Sequence, residues 1–441
     1  MRPAPAALFA VLALQLAGCA GDIPAARSSA LGLAPALPSP WREDFGDPVL
    51  RTLLNRADLG NLDIKAALAR LERAQADADL ARSARAPRVQ LGAAGALGGE
   101  TFGRARVAAS PTLEAVYDVD LWGGLRQGQA AARSEGMAGV ADVRGARRLV
   151  AAQTVTAYLA LRAAQDSRAS AGRRSEILSR RLALVRARAD NGTVGDEAVL
   201  QAETAVTEIL AAGRDADDAA LLQTRRLQAL IGSPADLDLA DGRLPPIPVG
   251  IGAALASDAV DARPDVQAAL ARLQAADARR AQAIAATRPQ FQIVAALGAP
   301  DAAISTLLDV RALAWAVAGA VTHTILDGGA GRARVAQAGA DGDQAELAWR
   351  KAVLDGWLDM QSAVTREAAA ERAAAAATAH LEQSLKSLGV IERRHREGTA
   401  DGVAMADARL AVEDAKLAVT LASALALTAS VECRLAVGEL T

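Results

Sequence analysis

Residues 66–71 of this chain read AALARL, and the same six residues return at 268–273. The matching register continues over 26 positions, of which twelve are identical, and it places Pro87 on Pro289. Alanine is common in both segments, but the shared proline fixes the register independently of composition. A register that is kept over this distance is typical of one structural plan used twice.

Two turn-like sequences repeat at nearly the same offset. LWGG at 121–124 matches LDGG at 326–329, and NGT at 191–193 matches EGT at 397–399. The sequence therefore predicts an internal two-fold structural repeat, with the first copy at residues 61–250 and the second copy at residues 251–441.

Each copy has the same predicted order of elements. An opening helix stops before the proline, because the residue preceding a proline disfavours helix. A β-hairpin follows, then a long helix without proline, a Gly-Thr turn and a shorter returning helix. The predicted helices are 61–85, 125–190, 196–231, 263–286, 331–396 and 401–437, and the predicted strands are 89–97, 112–121, 291–297 and 313–326.

The long helices determine how the others pack. At 1.5 Å per residue each would extend about 100 Å, and the returning helix covers only about half of that length. The opening helix nearly fills the difference, so each long helix is expected to lie beside two shorter helices stacked end to end. The 112 alanines suit close packing of helix backbones.

Composition excludes several classes of protein. The chain has 441 residues, with 49 Lys+Arg against 51 Asp+Glu and a formal net charge of −2, so it is a poor candidate for nucleic-acid binding. Two cysteines and three scattered histidines (His323, His380 and His395) predict neither a metal site nor a cofactor. Phosphate-loop, G-x-S-x-G and H-E-x-x-H motifs are absent, so no enzyme activity is expected.

The N-terminus has the features of a targeting signal. Arg2 precedes a short apolar run, and Leu16-Ala17-Gly18-Cys19 resembles a bacterial lipobox. That resemblance implies a signal peptide at 1–18, lipidation of Cys19, and a lipid-anchored extended segment at 19–60. Residue 20, which directly follows Cys19, is Ala rather than Asp. By the usual sorting rule for lipoproteins, this favours an anchor in the outer membrane. The alternative is an ordinary secretory signal in which Cys19 is incidental.

No stretch beyond Cys19 reaches the roughly 18 consecutive apolar residues of a spanning helix. If the chain crosses a bilayer, it must do so with β-strands. Four strands cannot close a barrel, and an open sheet edge in lipid leaves backbone groups without hydrogen bonds. Several copies would therefore have to share one barrel.

Six motifs in order carry a family resemblance. The sequence resembles the TolC-like outer-membrane efflux factors, specifically their lipoprotein branch, over nearly all of the mature chain. The motifs are W…F…D…L at Trp41, Phe45, Asp47 and Leu50; N-x-D-I-x-x-A-x-x-R-L from Asn61 to Leu71; YDVDLWG at 117–123; LQALIG at 227–232; Arg263-Pro264-Asp265-Val266; and LDGG at 326–329.

The resemblance implies a mostly α-helical protein with a membrane β-barrel portion. Three protomers would each give four strands to a twelve-stranded barrel, and their helices would form a long periplasmic tunnel. The function implied is that of an outer-membrane exit duct of a tripartite efflux pump, passively conducting drugs, metals or other small molecules. Its partners would be a periplasmic adaptor protein, an inner-membrane transporter and outer-membrane lipid.

The resemblance also implies site residues. Adaptor docking is expected at the two hairpin tips, formed by Gly192, Thr193 and Val194 and by Gly398, Thr399 and Ala400. Asp407 aligns with a constriction aspartate, and Asp401 and Asp196 are further candidates for a periplasmic gate. A trimer would present a ring of such carboxylates. The alternatives are ordinary turns at the tips and a solvated acidic helix face.

Arg263 and Asp265 are expected to be structural, as the start of a helix with Pro264 in its first turn. Cys433 is expected to be a small buried residue.

Two other functions remain open on the sequence. The same fold would serve as the duct of a type I protein secretion system. A non-conducting periplasmic scaffold lipoprotein is the second alternative, because His323-Thr324-Ile325 departs from the family pattern and the predicted strands contain few aromatic residues.

Overall fold

The computed structural model describes residues 46–98, 106–235, 259–298 and 314–437, together with residues 237, 239, 242, 244, 245, 302 and 303. The predicted signal peptide and Cys19 lie outside the described residues. The chain is mostly helical and carries one antiparallel sheet. Within the described ranges, no helix combines the length and the apolar character that crossing a membrane requires.

The described residues form seven helices, and six of them match predicted helices to within two residues at each end. Their bounds are α1 Pro48–Gly60, α2 Leu62–Ser83, α3 Gly124–Asp190, α4 Asp196–Leu230, α5 Pro264–Ala286, α6 Ala330–Arg396 and α7 Gly402–Val437. The order of helix, strand pair, long helix and shorter helix thus occurs twice along the chain.

Helix α1 corrects the prediction that residues 19–60 are extended. Asp47 caps this helix, accepting hydrogen bonds from the backbone N–H groups of Val49 at 2.8 Å and Leu50 at 3.3 Å. Pro48 occupies the first turn, where its missing N–H costs nothing. Four residues with helical spacing, Leu50, Leu53, Leu54 and Ala57, are buried. The helical spacing of these apolar residues is present in the sequence itself, so the prediction of an extended segment was wrong from Pro48 onward.

The buried face of α1 packs into the largest apolar cluster, with Val155 and Leu159 of α3, Leu227 of α4 and Leu427 of α7. At its start the Tyr158 hydroxyl donates a hydrogen bond to the Asp47 carboxylate. Burial raises the pKa of Tyr158 to about 12, and the bond to Asp47 acts in the same direction. Helix α1 is therefore part of the core and not a loose tether.

The strands are β1 Arg88–Gly98, β2 Arg106–Val119, β3 Gln290–Gly298, β4 Ala302–Ala303 and β5 Ala314–Thr322. They pair antiparallel in the order β1-β2-β3-β5, and the two-residue β4 pairs with β2. The sheet therefore has four main strands, as predicted, with β1 and β5 at its edges.

Two predicted strand bounds were wrong. Strand β2 begins at Arg106 rather than 112, because its pairing with β1 continues through Pro111 and overrides the local Ser-Pro turn signal. The strand predicted at 313–326 ends at Thr322, which pairs with Gln290, the first residue of β3. Pro289 precedes that pair and has no N–H to extend the ladder.

Register gives the sheet two different faces. One row across the four strands joins Leu91, Leu113, Leu297 and Trp315. Because side chains alternate along a strand, this face is apolar, and it is solvent-exposed in the single chain. The opposite face carries Gln90, Glu114, Asp118 and Gln292, which are joined by hydrogen bonds of 3.0 Å (Gln90 to Glu114) and 2.9 Å (Gln292 to Asp118).

The shorter helices stack end to end along the long ones, as their lengths predict. Where α4 meets α2, the Asn61 side-chain amide donates to the Leu230 carbonyl at 2.9 Å. Where α7 meets α5, the Arg263 guanidinium donates to the Ala436 carbonyl at 3.1 Å.

The prediction that Arg263 and Asp265 are structural is confirmed, since they also pair at 2.8 Å. Cys433 is buried, as expected.

Helix contacts give a simple lateral order. In the half of the molecule away from the sheet the order is α4-α3-α7-α6, and in the half beside the sheet it is α2-α3-α5-α6. Helix α3 lies inside this row and buries many residues, whereas α6, of the same length, buries six. Helix α6 therefore forms one edge of the chain, and α4 with α2 forms the other.

Candidate functional site

The two hairpin turns farthest from the sheet, called here the first tip (residues 191–195) and the second tip (397–401), have the same geometry. Gly192 and Gly398 adopt left-handed φ angles of +71° and +73°. The N–H of Thr193 donates to the Arg188 carbonyl at 2.9 Å, and that of Thr399 donates to Arg394 at 2.9 Å. Each turn is a helix C-terminal motif that glycine permits at low cost.

The threonine hydroxyls reinforce both turns. Thr193 Oγ1 donates to the Arg188 carbonyl at 2.8 Å, and Thr399 Oγ1 donates to the Arg394 carbonyl at 3.1 Å. Beside the second tip, Nδ1 of His395 in the last turn of α6 lies 2.9 Å from the Ala400 carbonyl oxygen. Val194 is partly buried, while the glycine and threonine of each tip are exposed. The predicted tip residues therefore form two hydrogen-bonded loops whose glycine and threonine are accessible.

A row of ion pairs ties α3 to α7 below the tips. Arg174 Nε lies 2.7 Å from Asp414 Oδ1, and Arg181 Nε lies 2.6 Å from Asp407 Oδ1. Nearest the tips, Arg188 pairs with Asp401, which also caps α7 through the N–H of Ala404 at 2.8 Å. The arginines recur every seven residues, so they share one face of α3.

This row joins the first helical hairpin (α3 and α4) to the second (α6 and α7). Two predicted gate residues, Asp407 and Asp401, belong to it, and each carboxylate has an arginine partner that we did not predict. The signal was present, since arginines at 174, 181 and 188 oppose acids at 414, 407 and 401 in an antiparallel register. Asp196 lies apart, exposed in the first turn of α4.

A buried carboxylate anchors the inner end of the row. Glu413 accepts hydrogen bonds from Lys416 Nζ and Arg173 Nε, both at 2.7 Å, and its side chain is 11% exposed. Burial acts to raise the pKa of Glu413, but the two cationic donors outweigh it and hold the pKa below its ordinary value. The carboxylate therefore stays ionised across the neutral range.

We expect Glu413→Gln to lower the free energy of unfolding by about 2 kcal/mol at pH 7, because it weakens two charge-assisted hydrogen bonds. A depressed folded-state pKa stabilises the fold above the unfolded pKa, and that contribution disappears as the pH falls through the folded value. The difference in thermal unfolding midpoint between the wild type and the variant should therefore become smaller below about pH 4.

The matched control is Asp414→Asn, because Asp414 pairs with Arg174 while nearly half exposed. Its effect should stay below about 1 kcal/mol. The role given to Glu413 would be contradicted if the difference in unfolding midpoint between the wild type and Glu413→Gln stayed constant from pH 7 to about pH 3.

Among the described residues, no group of three or more His, Cys, Asp or Glu side chains could hold a metal ion. What the site offers is mechanical: two exposed tips and a charged row that holds two helical hairpins together.

A model of the family described as "Outer membrane efflux protein" matches residues 53–233 and 255–439, which is most of the chain. The chain belongs to the outer membrane efflux protein family. This confirms the resemblance drawn from the motifs, and it gives this efflux protein an outer-membrane location with a large helical periplasmic portion.

Relatives of this efflux protein are similar over long segments. The pyoverdine export outer membrane protein OpmQ of Pseudomonas putida is 27% identical over 391 residues, covering 83% of this chain and 80% of that protein. The toluene efflux pump outer membrane protein TtgF of Pseudomonas putida is 30% identical over 295 residues, covering 63% and 59%. The solved outer-membrane channel OprN matches with a TM-score of 0.81 at 26% identity, covering 91% of this chain and 92% of that one.

Proposed function

We propose that this efflux protein is the exit duct of a tripartite pump: a homotrimer with one shared twelve-stranded barrel and a helical periplasmic tunnel. It acts passively and without a cofactor, and it is not an enzyme. The proposal rests on the two lateral edges of each copy. At both edges, within the described residues, a strand pairs on one side only, and the helices beside it expose apolar side chains.

The sheet supplies the first pair of edges. Among the described strands, β1 and β5 each pair with one neighbour, so each leaves a row of backbone groups without a partner in that part of the chain. If β5 of one copy pairs with β1 of the next, the contact is head-to-tail and closes into a ring. Two copies would give eight strands and three would give twelve, and the family resemblance favours three.

The helices supply edges in the same places. Leu347, Leu354, Trp357 and Leu358 form an apolar stripe on α6 and are between 55% and 66% exposed. Trp357 lies 39 residues from the end of α6, about 58 Å from the second tip. The opposite edge presents Leu59 and Leu62 beyond the 35 residues of α4, at about 52 Å. Packing these leucines against the stripe removes both surfaces from water.

The two faces of the sheet suit this ring. The apolar row of Leu91, Leu113, Leu297 and Trp315 would face lipid, and the polar face with Glu114 and Asp118 would line the duct. The recurring order of elements supports an internal two-fold repeat, in which each half gives two main strands and one helical hairpin.

The remaining partners follow from the tips. A periplasmic adaptor would dock on the first and second tips, and an inner-membrane transporter would supply the energy. The row of Asp407 and Asp401 would hold the hairpins closed as a gate, with Asp196 at its edge.

OpmQ is named for pyoverdine export and TtgF for toluene efflux. Such different cargoes favour a pump duct over a type I secretion duct, with the cargo chosen by the inner-membrane partner.

Purified full-length protein should give stable ohmic steps in planar bilayers, because a closed barrel with a polar lining conducts ions. Single-channel recording checks this, with a preparation shown to be trimeric by light scattering. A trimer that never conducts would overturn the duct and favour a scaffold.

We also propose that Cys19 carries the lipid anchor. Asp47 follows Cys19 by 28 residues, which can reach at most about 90–100 Å. Its partner Tyr158 lies 34 residues along α3 from Gly124, so it is about 50 Å from the sheet end of that helix. The intervening chain is long enough to connect the core with the membrane.

Cys19→Ala should abolish incorporation of an alkyne-labelled fatty acid, because the acylated sulfur is removed. Cys433→Ala is the matched control and should retain the label. Labelling that survives Cys19→Ala would overturn the anchor, whereas loss in Cys19→Ala alone would support it.

A further inference from the structure

Two junctions connect the sheet to the long helices, and both expose apolar side chains. The first junction, residues 118–126, joins β2 to α3, and the second junction, residues 323–334, joins β5 to α6. Ile325 and Leu326 in the second junction are 93% and 90% exposed. They follow Val321, whose side chain lies on the apolar face of the sheet. The apolar surface of the sheet therefore continues past the last strand pair.

The first junction has an apolar pair of the same kind. Leu121 and Trp122 are 55% and 40% exposed. The Trp122 indole Nε1 donates to the Pro289 carbonyl at 2.7 Å, and the Arg288 guanidinium lies 4.9 Å from the centre of the Trp122 ring. A half-exposed tryptophan with a long basic side chain beside it is typical of a membrane surface.

The end of α5 brings the two junctions together. A Cβ added at Gly331 would lie 3.5 Å from Cγ2 of Thr287, so the first turn of α6 contacts the end of α5. Arg332 and Arg288 directly follow these two residues in the chain, and both are exposed. The combined surface is called here the interfacial band, and it consists of Leu121, Trp122, Arg288, Ile325, Leu326 and Arg332.

The base of the sheet is basic compared with the rest of the chain. The segments that connect helices and strands there hold seven arginines and three aspartates, a net charge of +4 in a chain whose total is −2. Those segments are residues 82–88, 118–126, 287–289 and 323–334. Two of the arginines pair with aspartates of the same segments, whereas Arg288 and Arg332 form no ion pair in the described part of the chain.

The stability of α6 does not explain Arg332. This residue lies in the first turn, where the positive end of the helix dipole disfavours a cation. Asp327 precedes it, but the Asp327 carboxylate accepts hydrogen bonds from the N–H groups of Gly329 at 2.9 Å and Gly331 at 2.6 Å. Side chains of a helix lean toward its N-terminus, which for α6 is the end at the sheet. Arg332 is therefore placed to meet an anion at the level of the sheet base.

A neighbouring copy does not supply that anion. In the proposed ring β5 lies beside β1 of the next copy, and the segment that leads into β1 carries Arg82, Arg85 and Arg88. Three copies would bring the net charge at this level to +12, which is three times +4. The nearest dense source of negative charge is then the headgroup layer of the bilayer.

We propose that the interfacial band binds anionic phospholipids of the leaflet that faces the periplasm. Arg288 and Arg332 would contact the phosphate groups, because guanidinium groups pair well with phosphate oxygens. The two apolar pairs would lie at the boundary between headgroups and acyl chains, where they leave water. The inference rests on the proposed barrel, and it adds a ligand class and the residues that select it.

Spin-labelled lipids measure this selection in the full-length protein. In phosphatidylcholine bilayers, labelled phosphatidylglycerol should associate with the wild type at least about threefold more strongly than labelled phosphatidylcholine, because one basic group near an anionic headgroup is worth about fivefold. Averaging over boundary lipids that do not touch the band lowers the observed ratio. Arg288→Gln with Arg332→Gln should reduce the ratio to below about 1.5.

Two control variants separate charge from structure. Arg288→Lys with Arg332→Lys keeps both charges and should keep the ratio. Arg372→Gln with Arg393→Gln removes the same charge from exposed positions on α6, about 63 Å and 95 Å from its start, and should also keep the ratio. A wild type without preference, an unchanged ratio in the first glutamine variant, or equal loss in either control would overturn the proposal.

The depth of the second junction is a separate test. A nitroxide on Ile325→Cys, in a Cys433→Ala background, should collide with oxygen more than with a water-soluble nickel chelate. Leu385→Cys, 47% exposed on α6 and about 83 Å from its start, should show the reverse. A label at position 325 that neither reagent reaches is covered by a neighbouring copy, and one reached chiefly by nickel lies in water. Either result would overturn the proposal.

The outcomes separate this inference from the proposed function. A wild-type trimer that never conducts refutes the duct itself. A conducting trimer without preference for phosphatidylglycerol refutes only the lipid site.

Discussion

Replacing Leu354 and Trp357 together by aspartate should abolish the proposed trimer and with it channel conductance. Both side chains are more than half exposed in the single chain and lie on the apolar stripe of α6. Burying a side chain of this size contributes about 1.5–3 kcal/mol, and each of the three interfaces would lose two. Buried carboxylates without partners would add a further penalty.

Light scattering in detergent gives the oligomeric state, and planar-bilayer recording gives the conductance. The control is Leu149→Asp, a leucine that is 50% exposed on α3. Helix α3 lies inside the lateral order of helices, so Leu149 does not face a neighbouring copy. If the double variant remains trimeric, the stripe on α6 is not the interface.

Replacing Arg181 and Arg188 together by glutamine should raise the open probability of the channel about tenfold. These arginines pair with Asp407 and Asp401 and join the two helical hairpins. Partly exposed ion pairs contribute about 0.2–1 kcal/mol each, so the two together would stabilise the proposed closed arrangement by up to about 2 kcal/mol. Tenfold corresponds to about 1.4 kcal/mol, which lies inside that range.

Arg168→Gln with Arg186→Gln is a closely matched control. These two arginines lie on the same helix and pair at 2.8 Å with Asp217 and at 2.6 Å with Glu203, both on α4. The charge removed is equal, but only the contact within the first hairpin is lost. Open probability should then stay close to that of the wild type. Equal opening in both variants would show that total charge, rather than the join between hairpins, sets the gate.

Much of the fold could be predicted from local patterns. The proline-free stretches predicted α3 and α6 to within a residue, because helix limits depend on nearby prolines, glycines and caps. Helix α1 was not predicted, although Asp47-Pro48 is a typical helix start and the leucines after it have helical spacing. The start of β2 was missed because pairing with β1 carries the strand through Pro111.

The candidate site divides in the same way. Gly192 and Gly398 were found from sequence because a left-handed turn residue has a strong local signature. The partners of Asp407 and Asp401 were not found, because Arg181 and Arg188 lie more than 200 residues away and only the antiparallel packing of α3 and α7 brings them close.

Local sequence patterns predicted six of the seven described helices with their lengths, the order of those elements and the positions of the two tips. These features depend on residues within a few positions of one another. The packed fold then showed which helices are interior and which are edges, which sheet face is apolar, and which arginine meets which carboxylate. Those features depend on contacts between residues distant in the chain, because burial and charge pairing are properties of neighbours in space.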